Sequence, residues 1–150
     1  MTWTRRVMGR LLIVDDDGAT TQTFARILTL EGYDVRTATT AEVALCENDA
    51  WRPDAIILDL WMPFINGLGF LYRLRGREDR RDTPVVMVTG DQCLEDTIID
   101  EIHELGAEVY FKPLWLEDLV TVVRKLVPVS RELELPHESP ASFAPSSLLQ

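Results

Sequence analysis

Four aspartates are the residues in this sequence whose types and spacing could do chemistry. Asp15, Asp16 and Asp17 follow an apolar run at residues 11–14, and Asp59 follows another at residues 55–58. Neighbouring carboxylates repel one another unless water or a cation relieves the repulsion. A carboxylate is also a nucleophile that accepts phosphoryl groups. Alone, Asp59 would be interpreted as a helix cap or turn residue, so its meaning depends on what surrounds it.

Two further polar residues occupy equivalent places later in the chain. Thr89 follows the apolar run VVMV at residues 85–88, and Lys112 follows residues 109–111. The plain interpretations are a strand-end hydroxyl and a surface lysine. The carboxyl ends of parallel strands, however, meet at one edge of an open α/β sheet and form its ligand crevice. We therefore expect one site to contain Asp15, Asp16, Asp59, Thr89 and Lys112.

The chemistry of this set is that of phosphoryl transfer. Three carboxylates favour a hard divalent cation, and Mg²⁺ is the best match when phosphate is involved. A carboxylate nucleophile, a metal, a lysine and a hydroxyl donor are the groups that such a transfer needs. Asp59 is the expected acceptor because it leads its own loop, whereas Asp15 and Asp16 are adjacent and suited to holding metal.

The elements that must position these residues are five strands alternating with five helices. Apolar runs predict strands at residues 11–14, 33–37, 55–58, 85–88 and 109–111. Helical spacing of apolar residues follows each run, for example over residues 20–30. Parallel crossovers are long and right-handed. The pattern predicts an α/β, doubly wound, five-stranded parallel sheet, and the order 2-1-3-4-5 would place strands one and three side by side.

Composition limits the function classes. The chain has 150 residues, which fits one domain of ordinary size. A formal net charge of −10 argues against holding nucleic acid by itself. Cys46 and Cys93 show no pairing or metal-ligand pattern, and no signal peptide or membrane span is visible, so we expect a cytoplasmic protein. We expect an N-terminal extension at 1–9, one domain at 10–127 and a Pro/Ser-rich tail at 128–150.

Four motifs carry a family resemblance. LLIVDDD, DLWMPFING, VVMVTG and FKP follow successive predicted strands in that order. Together they resemble the receiver domain of two-component response regulators, with its flavodoxin-like fold, over residues 10–127. The resemblance implies a stand-alone signalling domain rather than an enzyme, one that assists its own phosphorylation and dephosphorylation. Its partners would be a sensor histidine kinase or histidine phosphotransfer protein and a downstream protein target. A homodimer through helix 4, strand 5 and helix 5 is a further expectation.

The resemblance also assigns roles to the site residues. Asp59 would accept a phosphoryl group from a phosphohistidine. Asp16 would bind Mg²⁺ directly and Asp15 largely through water, with the backbone carbonyl of Trp61 as a further ligand. Thr89 would hydrogen-bond a phosphoryl oxygen. Lys112 would pair with the acyl phosphate, next to a Lys112–Pro113 bond that is usually cis in the family.

Three features depart from the usual receiver pattern or vary within it. Most receivers have Tyr or Phe three residues before the lysine, where this chain has Val109. Tyr110 is one residue too late and should point to the other face of the sheet, because side chains alternate along a strand. Trp61 is bulky and close to Asp59, so it would either shield the acyl phosphate or cover apolar loop residues such as Phe64. Asp91, two residues after Thr89, adds negative charge.

Two other functions compete with this interpretation. Asp15–Asp16–Asp17–Gly18 fits the Asp-x-Asp-Gly pattern of haloacid dehalogenase-like phosphatases, with Asp15 as nucleophile and Asp17 as acid/base. That alternative leaves no room for the usual cap domain, and it leaves Asp59 unexplained. The other alternative is a pseudo-receiver that never accepts phosphate. Substitution of Asp59 discriminates, because phosphorylation vanishes for a receiver and persists for the phosphatase.

Overall fold

Five short parallel strands form one sheet in the computed structural model, which describes residues 7–80 and 82–128. The strands are β1 (Arg10–Val14), β2 (Asp34–Ala38), β3 (Ala55–Asp59), β4 (Val85–Thr89) and β5 (Ala107–Phe111). The α-helices are α1 (Gly18–Leu30), α2 (Ala41–Trp51), α3 (Gly67–Arg75), α4 (Asp96–Glu104) and α5 (Leu116–Leu126). A short 3-10 turn, Glu78–Arg80, follows α3.

The strand order is β2-β1-β3-β4-β5, so the predicted topology is confirmed. β1 and β3 are direct neighbours, with Val14 opposite Leu58. The apolar runs in β1, β3 and β4 are unbroken because helices cover both faces of the sheet. One face packs on a core that includes Phe70 and Ile102, and the other packs on a core that includes Leu28 and Val123.

Several element boundaries differ from the sequence-based prediction, and β1, β3 and β4 are each one residue longer than the predicted runs. α1 begins at Gly18 rather than at Thr20, because the Asp17 carboxylate accepts hydrogen bonds from the amides of Ala19 and Thr20 and caps the helix earlier. β2 lies one residue later than predicted. β5 begins at Ala107, two residues earlier, because the exposed Glu108 of this edge strand interrupts the apolar pattern.

The chain before β1 also contacts the sheet. The amide of Met8 donates to the carbonyl of Gly32 at 3.0 Å, and the amide of Asp34 donates to the carbonyl of Gly9 at 2.9 Å. Part of the expected extension at residues 1–9 therefore packs beside β2. Residues 1–6 and 129–150, which include nearly all of the expected tail, lie outside the described residues. Within the described ranges, no helix combines the length and apolar character that a membrane crossing requires.

Candidate functional site

A tight backbone approach fixes the loop that leaves β3. The amide of Gly67 donates to the carbonyl of Leu60 at 2.8 Å, and Asn66 caps α3 by accepting from the amide of Gly69 at 2.9 Å. A Cβ on Gly67 would lie 2.4 Å from the carbonyl oxygen of Asp59, which real Cβ atoms do not approach. The Asn-Gly pair thus brings the start of α3 directly against the end of the strand that carries Asp59.

Asp15 is buried at the end of β1, and its carboxylate is held from two sides. Its Oδ1 accepts from the amide of Asp17 at 3.0 Å, and its Oδ2 accepts from the Lys112 ammonium at 3.0 Å. Asp15 and Lys112 are 97 positions apart in the chain. The predicted gathering of strand ends at one edge of the sheet is therefore observed for this pair.

Asp15, Asp16 and Asp59 form a compact cluster of carboxylates. One carboxylate oxygen from each lies within 4.8 Å of the others, with Asp15 and Asp59 buried and Asp16 exposed. Oxygen ligands at this spacing, open to solvent on one side, suit a hard divalent cation such as Mg²⁺. Like charges this close also gain stability from a cation, because it relieves their mutual repulsion. The residues present therefore fit the metal that the sequence predicted.

The environment of Asp59 shifts its ionisation. Burial of the side chain and then the negative charge of Asp15 raise the pKa of Asp59 to about 6, against an opposing effect of Lys112. A carboxyl group whose pKa is raised by burial and a neighbouring charge is typical of functional sites. At pH 7 the Asp59 carboxyl group is still ionised in most molecules. The ionised carboxylate is the form that acts as a nucleophile.

Lys112 completes the charged set. Its Nζ lies 3.6 Å from Asp59 Oδ1 as well as 3.0 Å from Asp15 Oδ2. Burial opposes the charge on Lys112, but its hydrogen bond to Asp15 and the charge of Asp59 outweigh burial, so the pKa of Lys112 is raised. The Lys112–Pro113 peptide bond is cis, as the resemblance implied. The amide of Lys112 donates to the carbonyl of Thr89 at 2.7 Å, which joins the ends of β4 and β5.

Thr89 lies at the same edge and is fully buried. Its hydroxyl oxygen accepts from the amide of Asp91 at 3.1 Å. In the sheet register, Thr89 is opposite Phe111, the residue before Lys112. The structure thus places Asp15, Asp59, Thr89 and Lys112 at the carboxyl ends of β1, β3, β4 and β5, as the sequence predicted.

Trp61 makes a contact that sequence reasoning missed. Its Nε1 donates to Asp91 Oδ2 at 3.1 Å, while 47% of the side chain remains exposed. Phe64 is 96% exposed, so Trp61 does not cover it. The only signal in the sequence was that Trp61 and Asp91 each lie two residues after a site residue. The role of the Trp61 carbonyl as a metal ligand stays a prediction.

The Asp17 carboxylate is engaged in hydrogen bonds at the start of α1. Besides capping α1, its carboxylate accepts from the Thr20 hydroxyl at 2.8 Å. These hydrogen bonds, that from the Thr20 side chain first, lower the pKa of Asp17. A general acid/base works best with a pKa near the operating pH. Asp17 is therefore poorly suited to the acid/base role that the phosphatase alternative requires.

Val109 and Tyr110 of β5 face opposite cores, as the alternation of side chains predicted. Val109 packs with the core on the α4 side of the sheet, and Tyr110 packs with the core on the α1 and α5 side. Tyr110 therefore does not replace the aromatic residue that most receivers have at the position of Val109.

Comparison with known proteins identifies the family. A sequence model described as the response regulator receiver domain matches residues 11–124. The chain is 36% identical over 130 residues to the transcriptional regulatory protein TrcR of Mycobacterium tuberculosis, which covers 85% of this chain and 48% of that protein. It is 36% identical over 119 residues to the response regulator MprA of Mycobacterium tuberculosis, covering 79% of this chain and 50% of MprA. The chain thus spans about half the length of these curated relatives.

Solved structures agree with this assignment. The chemotaxis protein CheY4 of Vibrio cholerae superposes with a TM-score of 0.74 at 29% identity, covering 80% of this chain and 99% of CheY4. A putative response regulator from Chloroflexus aurantiacus gives a TM-score of 0.72 at 31% identity, covering 79% of this chain and 97% of that chain. The observed fold is therefore the CheY-like, flavodoxin-like fold.

Proposed function

The chain belongs to the response regulator receiver family of two-component signalling systems, and we propose that it accepts a phosphoryl group on Asp59 from a phosphohistidine of a partner protein. The observation that carries the proposal is the position of the Lys112 ammonium, 3.0 Å from Asp15 and 3.6 Å from Asp59 in a cluster of three carboxylates. A buried nucleophile, a fixed cation and an acidic metal pocket are the parts that phosphoryl transfer uses.

The proposed reaction is a single displacement at phosphorus. A carboxylate oxygen of Asp59 attacks the phosphorus, the P–N bond of the phosphohistidine breaks, and the imidazole leaves with the bonding electron pair. The product is an acyl phosphate on Asp59. In this scheme the Lys112 ammonium stabilises the charge on the phosphoryl group, and the Thr89 hydroxyl donates a hydrogen bond to one of its oxygens. The phosphoryl group later leaves by hydrolysis, which restores the Asp59 carboxylate.

We propose that Mg²⁺ is the cofactor, held by Asp15, Asp16, Asp59 and the backbone carbonyl of Trp61. Bound there, the ion would neutralise charge on the phosphoryl oxygens. The fit of the carboxylate cluster to a hard cation supports this assignment.

We propose that a sensor histidine kinase or histidine phosphotransfer protein donates the phosphoryl group. The phosphorylated chain would then act on a downstream protein. We place these reactions in the cytoplasm. The receiver unit would span residues 10–127, with the tail at 128–150 as a separate segment. Relatives named transcriptional regulatory proteins match this chain over about half their length. A homodimer through α4, β5 and α5 stays a prediction.

The proposal is tested by intact mass after incubation with Mg²⁺ and acetyl phosphate. We expect one added phosphate on the native chain and none on Asp59→Asn. Asp17→Asn is the matched control, because asparagine also caps helices, and it should still be phosphorylated.

Two other outcomes would overturn the proposal. A native chain without an adduct would indicate a pseudo-receiver. Phosphate release that persists in Asp59→Asn and is lost in Asp17→Asn would indicate the phosphatase.

A further inference from the structure

Three hydrogen bonds meet at Asp91, the residue that follows Thr89 by two positions. Its Oδ2 accepts from Trp61 Nε1 at 3.1 Å, and its Oδ1 accepts from the amide of Cys93 at 3.0 Å. Its own amide donates to the Thr89 hydroxyl oxygen at 3.1 Å. Asp91 thus connects the loop after β3, through Trp61, to the hydroxyl at the end of β4.

The bond from the Asp91 amide constrains the orientation of the Thr89 hydroxyl. A hydroxyl has one proton and two acceptor lone pairs, and the amide occupies one of these lone pairs. The proton therefore points away from Asp91 and remains available as a donor. In the sheet register, Asp59 lies opposite Val88, the residue before Thr89. An acceptor bound to Asp59 would therefore be adjacent to Thr89.

The residue before Asp91 is a glycine, so the local sequence constrains the Asp91 amide only weakly. Gly90 precedes it, and a Cβ at Gly90 would meet nothing closer than the Lys112 side chain at 4.0 Å. Glycine gives this peptide unit a wide conformational choice. Anchoring of both carboxylate oxygens of Asp91, one of them by the distant Trp61, restricts that choice.

We propose that Asp91 is a positioning residue, and that Trp61 acts through it to hold the Thr89 hydroxyl ready to donate to the incoming phosphoryl group. This inference rests on the proposed function, because it concerns the same transfer to Asp59. In this role Trp61 donates a hydrogen bond to Asp91 and acts on the phosphoryl group only through Asp91 and Thr89. A purely steric role, in which the indole covers the site, makes a different prediction.

The experiment separates these roles with variants at three positions. Trp61→Phe removes the N–H donor and keeps an aromatic ring, and Asp91→Ala removes the acceptor. Asp91→Asn keeps a side-chain carbonyl oxygen while removing the charge. Each is made in the native chain and in a Thr89→Ala background. The initial rate of phosphorylation by acetyl phosphate with saturating Mg²⁺ is followed by intact mass.

We expect Trp61→Phe and Asp91→Ala to slow phosphorylation about three- to tenfold, the effect of one lost hydrogen bond. Asp91→Asn offers a single acceptor oxygen to two donors, the Trp61 N–H and the Cys93 amide. Its rate should therefore lie between the native rate and that of Asp91→Ala. In the Thr89→Ala background, Trp61→Phe and Asp91→Ala should have no further effect, because the group that they position is gone.

A spectroscopic readout accompanies the rates. The indole N–H resonance of Trp61 is assigned by its absence in Trp61→Phe. It should move in Asp91→Ala and move less in Asp91→Asn, where one carbonyl oxygen can still accept from Trp61. The Mg²⁺ concentration for half-maximal rate should be unchanged in Trp61→Phe, since this variant keeps the carboxylates and the backbone carbonyl proposed to hold the ion.

Three results would overturn the inference. Native rates in both Trp61→Phe and Asp91→Ala would show that the hydrogen bonds through Asp91 do not affect phosphorylation. An undiminished effect in the Thr89→Ala background would show that Trp61 acts as a steric cover. Absence of any adduct on the native chain would remove the proposed function and this inference with it, whereas the first two results leave the proposed function standing. If Asp91→Ala fails to fold, Trp61→Phe with and without Thr89→Ala decides the question.

Discussion

Asp59 occupies a position where its negative charge costs the folded protein free energy. The side chain is buried, and the carboxylate of Asp15 is close by. Together they raise the pKa of Asp59 from 3.8 to about 6. The folded chain therefore binds this proton more tightly than the unfolded chain does. The contribution of Asp59 to stability is greatest below about pH 4 and is lost as the pH rises through 6.

We predict that Asp59→Asn stabilises the metal-free protein at pH 7 by on the order of 1–3 kcal/mol, from the size of this shift. The gain should shrink as the pH falls from 6 to 4, because the native carboxyl group is then protonated as well. Denaturant unfolding in EDTA at several pH values measures it. Parallel pH profiles for the native chain and Asp59→Asn would contradict the prediction.

Phe64 combines two unfavourable features in the loop after β3. Its backbone φ is 69°, in the left-handed region, and its side chain is 96% exposed. For an L-residue with a Cβ, this backbone conformation costs about 1–2 kcal/mol. Asparagine tolerates the conformation better than most residues do.

We predict that Phe64→Asn raises the stability by about 0.5–1 kcal/mol, because it relieves the strain and buries no less apolar surface. Phe64→Ala is the matched control: it removes the same ring but keeps the penalty, so its stability should stay near the native value. Unfolding midpoints of the three proteins compare them. An equal gain in both variants would show that the exposed ring, and not the backbone, was the source of the cost.

At this scale, the sequence predicted the charged and hydroxyl residues of the site but not the loop contacts. Asp15, Asp59, Thr89 and Lys112 could be placed because each ends a strand, and parallel strands end at one edge. The bond from Trp61 to Asp91 depends on the paths of two loops, which no periodic pattern encodes. The cap at Asp17 extends α1 to Gly18, beyond the helix predicted over residues 20–30, because a cap depends on side-chain geometry rather than on apolar spacing.

At the scale of the elements, β3 and α3 are joined by a contact that only glycine permits. The start of α3 lies against the end of β3, where a Cβ on Gly67 would be 2.4 Å from the carbonyl of Asp59 and 2.9 Å from Leu60 Cα. These two obstructing atoms are backbone, so they yield only if α3 moves away from the sheet, and the Met87 sulfur also lies 2.9 Å away.

We predict that Gly67→Ala destabilises the protein by about 1–3 kcal/mol or more, as overpacking does. It should also slow phosphorylation, because Asp59 would be displaced. Gly18→Ala is the matched control: it lies at the start of α1 with nothing within 4 Å of the added Cβ, so it should be neutral or stabilising by up to about 1 kcal/mol. Unfolding curves and the acetyl phosphate rate measure both variants. A stable Gly67→Ala would refute the close-approach argument.

The strands were predicted more accurately in the centre of the sheet than at its edges. β3, buried along its whole length, reads as a continuous apolar run. β2 and β5 lie at the edges and carry exposed charged residues such as Asp34 and Glu108, which shifted or shortened the predicted ranges. Side-chain alternation still predicted the opposite faces of Val109 and Tyr110, because that property depends only on strand geometry.

For the molecule as a whole, the carboxylate cluster links metal binding to stability. An ion that binds only the folded chain stabilises it by RT ln(1 + [L]/Kd), about 2.7 kcal/mol at a concentration of 100 Kd. We predict that millimolar Mg²⁺ raises the unfolding temperature of the native chain. The rise should be much smaller in Asp16→Asn and Asp59→Asn, and unchanged in the exposed control Asp34→Asn. Equal shifts in all four proteins would indicate nonspecific binding to the acidic surface.

The negative charge of the chain also bears on self-association. Part of the net charge of −10 lies on the face formed by α4 and β5. Asp96, Asp100 and Glu104 are exposed and spaced four residues apart, so they form one line along α4. Glu108 of β5 is also exposed. Within α4, His103 is the one side chain that can carry a positive charge. Like charges at this spacing destabilise a helix slightly, so the line does not serve the stability of α4.

A second copy docked on this face would bring acidic groups close to acidic groups. α5 adds the exposed Lys125 and Arg124, but Arg124 already lies 3.5 Å from Glu31, so the face stays negative overall. Repulsion between exposed charges weakens as salt shortens the screening length, about 10 Å at 0.1 M. We therefore predict that the homodimer expected through α4, β5 and α5 is weak at 50 mM salt, with and without phosphorylation, and strengthens toward 500 mM. Sedimentation velocity at both salt concentrations tests this, and a dimer that dissociates with added salt would show that Lys125 or Arg124 pairs across an interface between two copies.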